Sequence, residues 1–79
     1  MNNDYNINKS IQIITQYMAE NLIRTKGCTE NQAIQFLITT HTYQLLRNKK
    51  TKLYAESPEY VMDMLKDEIS QNWESWYKI

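Results

Sequence analysis

Apolar residues recur along the first third of the chain with the spacing of a helix. Ile7, Ile11, Ile14, Met18 and Leu22 are separated by four, three, four and four residues, which places them on one face of an α-helix. Asn8 or Ser10 is placed to cap its start. Arg24 and Lys26 fall in its last turn, where cations suit the helix dipole. Gly27, the only glycine in the chain, follows as a left-handed C′ residue. A second helix is predicted from Thr29, because Thr29 and Gln32 have capping-box spacing and Glu30 adds favourable charge to the first turn. Its apolar stripe is Ala33, Ile34, Leu37 and Ile38.

The next stretch admits two readings. Thr39, Thr40 and Thr42 are stiff at χ1, which weakens a helix, yet each can cap a new one. A break near Thr40 then gives a short third helix from Thr42 to Asn48, with Tyr43, Leu45 and Leu46 facing inward. The alternative is one continuous helix, with His41 on the face of Ile34, Ile38 and Leu45. Residues 47–52 are a polar connector, after which Leu53 and Tyr54 return to the core. Ser57-Pro58-Glu59 reads as a helix start: cap, N1 proline and first-turn acid. Val61, Leu65, Ile69, Trp73 and Trp76 carry that helix toward the C-terminus at steps of four, four, four and three.

These elements predict an all-α fold, a small bundle or orthogonal array of three main helices plus one short helix. Residues 1–7 read as a flexible N-terminal tail and residues 8–79 as a single helical domain. Composition agrees. Seventy-nine residues leave no room for a second core, and one glycine with one proline is too little turn chemistry for an all-β chain. The apolar share of 42% with 23% charged residues is a globular balance.

Candidate chemistry is sparse. One cysteine, Cys28, allows no internal disulfide, and it reads as a small structural residue. With a single histidine, His41, no zinc constellation can form from this chain alone. His41 is read as a half-buried packing residue near the threonines, about 20 Å from Cys28 at 1.5 Å per helical residue. Glu59, Asp63 and Asp67 line one helix face and read as a solvated acidic surface rather than a cation site. No phosphate loop, dinucleotide fingerprint or nucleophile elbow is present. The expectation is a non-enzymatic protein with no cofactor. With no signal peptide in the first residues and no apolar run near bilayer length, a cytoplasmic location without membrane contact is expected.

Net charge is zero, but it is unevenly spread. Residues 1–52 hold seven basic and three acidic side chains, while residues 53–79 hold two basic and six acidic. Arg47, Lys49, Lys50 and Lys52 concentrate the positive charge. They make a small DNA-binding regulator the alternative reading, with nucleic acid as partner. Against it, the turn between the second and third helices lacks glycine, and only Gln44 and Arg47 are offered as base readers.

The main reading is a protein-interaction module whose partner is another protein or a second copy, a homodimer being favoured. Tyr60, Met64, Trp73, Trp76 and Tyr77 are its candidate interface residues. Tyr60, Met64 and Met62 widen the last helix's apolar face beyond what one neighbouring helix covers. The other possibility is that the first helix and Leu53-Tyr54 cover that face within the monomer.

The sequence Thr42-Tyr43-Gln44-Leu45-Leu46, followed by Thr51-Lys52-Leu53-Tyr54 and Ser57-Pro58-Glu59-Tyr60-Val61, resembles short uncharacterised helical proteins of bacterial genomes. Some of these lie beside toxin-like or mobile-element genes. The resemblance covers roughly residues 29–61. It implies an accessory or antitoxin-like binding role in a bacterial cytoplasm, and carries over no catalytic residue.

Overall fold

The computed structural model describes residues 3–71. It is all-α: helices α1 (Asn3–Lys26), α2 (Glu30–Leu37), α3 (His41–Arg47) and α4 (Pro58–Gln71), with two 3-10 turns, Lys49–Thr51 and Leu53–Ala55, between α3 and α4. At 1.5 Å per residue α1 is about 36 Å long, close to the molecule's 42 Å longest dimension. It forms the spine against which α2, α4, α3 and the second 3-10 turn pack.

The α1 face read from the sequence is the buried one. Ile14, Met18 and Leu22 are fully covered, with Ala19 beside them and Ile11 and Ile23 at the margin. They meet Ala33, Phe36 and Leu37 of α2, Leu46 of α3, Leu53 of the second 3-10 turn, and Val61, Met62 and Leu65 of α4 in one core. Each such leucine contributes roughly 1.5–3 kcal/mol relative to an exposed one. The helix begins at Asn3, so residues 3–7 extend it rather than forming a tail. Asp4 in the first turn suits the dipole, and its carboxylate lies 3.4 Å from the Lys49 ammonium.

Each helix boundary has a local cause. Gly27 adopts φ 72 and its amide donates to the Ile23 carbonyl at 2.9 Å. The Thr29–Gln32 capping box closes in both directions, at 3.1 and 2.9 Å. The Ser57 hydroxyl accepts from the Tyr60 amide at 3.1 Å, with Pro58 at the first helical position.

The break between α2 and α3 falls at the threonines. The Thr39 hydroxyl donates to the Phe36 carbonyl at 2.6 Å, and the Thr40 hydroxyl donates to Leu37 at 2.7 Å. Thr40 also accepts from the Tyr43 amide at 3.1 Å, so one buried hydroxyl closes α2 and opens α3. Helix ends need such partners for their orphan groups. The continuous-helix reading is thereby replaced by two helices. Leu46 is buried in α3 as expected, Tyr43 and Leu45 are half-buried, and Thr42 is buried as well.

Candidate functional site

The connector is a wound structure rather than an open loop. Asn48 caps its 3-10 turn by accepting from the Lys50 amide at 3.0 Å. Thr51 donates to the Leu45 and Asn48 carbonyls at 2.7 and 2.9 Å. Lys52 takes the left-handed conformation at φ 57 that lets the chain enter the second turn. Arg47, Lys49, Lys50 and Lys52 are all exposed. Their charge is partly committed: Lys49 pairs with Asp4, and the Arg47 guanidinium lies 5.9 Å from the Tyr43 ring centre, within cation–π reach. On α3, His41, Gln44 and Arg47 form the exposed row at i, i+3 and i+6.

His41 is exposed rather than half-buried, because its position at the first turn of α3 points it out of the core. What ties this position down is its backbone. Glu68 of α4 accepts from the His41 amide at 2.7 Å and from both the amide and the hydroxyl of Thr42, at 2.8 and 2.7 Å. A carboxylate 27 residues away thus completes the α3 N-terminus. Burial alone would raise the Glu68 pKa. The Thr42 hydroxyl, the two backbone amides and the His41 charge outweigh it and hold the carboxyl below its ordinary value of 4.5. The same carboxylate makes the N-terminus of α3 electronegative where a recognition helix would meet phosphate.

On α4, Val61, Met62 and Leu65 are buried, and Met64 and Ile69 are half-buried against the core. Among the described residues, intramolecular packing therefore takes up the Val61, Met62 and Leu65 part of that face, and Tyr60 stands 53% exposed. Trp73, Trp76 and Tyr77 lie outside the described residues. Glu59, Asp63 and Asp67 are exposed, and no group able to hold a metal ion occurs among the described residues. Cys28 is buried as a small core residue. No helix of the described residues is long and apolar enough to cross a membrane.

Surface depressions lie among the described residues. A groove of 430 Å³ runs along α1 past Asn8, Gln12, Thr15 and Ala19, and is closed by Ile34 and Tyr43. A more apolar hollow of 310 Å³ lies between Leu22 and Thr25 of α1 and Met62, Lys66 and Ile69 of α4. Another, of 240 Å³, is lined by Ile13, Gln16, Tyr17 and Glu20 of α1. Ile13 and Tyr5 on α1 stand 52% and 62% exposed. The helical spacing of the sequence placed Ile13 on no buried face, and that was the signal for it. The chain matches no protein-family model, no curated protein and no solved structure.

Proposed function

We propose that the chain is a non-enzymatic protein-interaction module that works through self-association. The accessory or antitoxin-like role in a bacterial cytoplasm implied by its sequence resemblance belongs to the same proposal. The observation that carries it is the set of large apolar side chains left in solvent on so small a body: Tyr5, Ile13, Ile38 and Tyr60, each 47–62% exposed. Covering apolar area is worth about 25 cal/mol per Å², and a domain of this size has little core to spare. Glu68, whose pKa is lowered, is occupied in capping α3, so its perturbation has a structural cause. Sedimentation velocity from micromolar to sub-millimolar concentration tests the reading. A monomer–dimer equilibrium is expected, and a single monomeric species throughout would contradict it.

A second reading, the small DNA-binding regulator, is favoured by the succession of α2, a three-residue turn and α3 with its exposed row His41, Gln44 and Arg47. Glu68 at the head of α3 opposes it. A gel shift at low salt decides this reading: absence of any complex removes it.

A further inference from the structure

The outer face of α1 carries a charge and shape pattern that is complementary to itself. Tyr5, Lys9, Ile13, Gln16, Glu20 and Arg24 fall within an arc of about 100° at 100° per residue, opposite the buried Ile14, Met18 and Leu22. All six are exposed. Neither Lys9 nor Glu20 has an ion-pair partner among the described residues. Arg24 donates to the neighbouring Asn21 side-chain oxygen at 2.9 Å.

We propose that this face is the self-association surface, an antiparallel contact between two copies of α1 related by a two-fold axis beside Ile14 and Thr15. The proposal rests on the self-association reading above and names its surface. In that register Lys9 of each copy lies opposite Glu20 of the other, giving two ion pairs per dimer. Arg24 meets the Tyr5 ring of the other copy, a cation–π geometry. A parallel pairing would set Lys9 against Lys9 and Glu20 against Glu20, so the charge order selects the antiparallel one.

Shape points to the same register. The 240 Å³ hollow is bounded by Ile13, Gln16, Tyr17 and Glu20, residues i, i+3, i+4 and i+7. Four residues at that spacing form the hole that receives a knob in helix–helix packing. The knob is Ile13 of the second copy, which the two-fold brings level with Gln16, at the centre of the hole. One residue thus supplies both knob and rim, as an isologous contact requires.

Sedimentation equilibrium of four proteins tests this: the parent, Lys9→Glu, Glu20→Lys and the double variant carrying both. Each single reversal puts two like-charged pairs into the dimer and should weaken it about tenfold. The double variant restores opposite charges in the same register and should return to within about threefold of the parent. Circular dichroism confirms that all four fold. Recovery in the double variant supports the register, since loss of fold cannot be rescued that way. A parent dimer indifferent to both reversals would overturn the α1 surface while leaving self-association intact. A parent that stays monomeric would overturn both.

Discussion

Removing the Glu68 carboxylate should unfasten α3. Glu68→Ala leaves the amides of His41 and Thr42 and the Thr42 hydroxyl without the oxygens that now accept from them at 2.7–2.8 Å. Hydrogen bonds to an ionised group contribute about 1.5–3 kcal/mol each when buried. This site is only partly covered, so water replaces much of what is lost. A charge at a helix N-terminus adds roughly 0.3–1 kcal/mol. Thr40 still caps α3 in the variant, which limits the damage further. The expected total is about 2 kcal/mol, a fall in Tm of roughly 8–16 °C for a domain of this size. Thermal unfolding followed by circular dichroism measures it. Asp67→Asn, one residue away and exposed, should stay within about 0.5 kcal/mol of the parent. If Glu68→Ala melts together with Asp67→Asn, the cap contributes nothing and the reasoning fails.

The same contact sets a pH dependence. The folded pKa of Glu68 is depressed below 4.5, so its stabilisation is complete above that value and is lost as pH falls through the folded pKa. The gap in stability between parent and Glu68→Gln should therefore narrow below pH 4.5 and stay constant above it. A gap that widens on acidification would reverse the sign of the argument.

Ser57→Ala removes the α4 cap and should cost about 1 kcal/mol in urea unfolding; an unchanged midpoint would mean that the Tyr60 amide needs no side-chain partner. Gly27→Ala meets no atom within 4 Å, so its cost is backbone strain alone, about 1–2 kcal/mol, and Gly27→Asn should recover part of it. If DNA binds at all, Lys49→Ala with Lys50→Ala should weaken binding evenly across sequences and flatten its salt dependence; a sequence-selective loss would argue for base contact instead.

The helices were legible because their signals are local. The Thr29–Gln32 box, the Ser57-Pro58-Glu59 start and Gly27 each act within one turn, and the structure uses all three as the spacing implies. The threonine break was ambiguous for a physical reason. A β-branched residue weakens a helix only slightly, and what decides for two helices is the hydroxyl of Thr40 serving both. The Glu68 cap was not legible at all, since a contact across 26 or 27 residues leaves no periodic trace. α1 starts four residues ahead of Ile7, where its apolar face begins, because exposed residues such as Asp4, Tyr5 and Asn6 can extend a helix without adding to the core. The width of the α4 face suggested an external partner. Among its described residues, Met62 and part of Met64 enter the core while Tyr60 stays exposed.

Small-angle X-ray scattering over a dilution series tests self-association most directly, because forward scattering reports mass and its angular decay reports shape. Self-association raises the apparent mass from 9.5 kDa toward twice that value with concentration. The radius of gyration should grow with it from that of a monomer, 12.5 Å over the Cα atoms. A mass fixed at 9.5 kDa up to the highest concentration that remains free of aggregates would contradict the account.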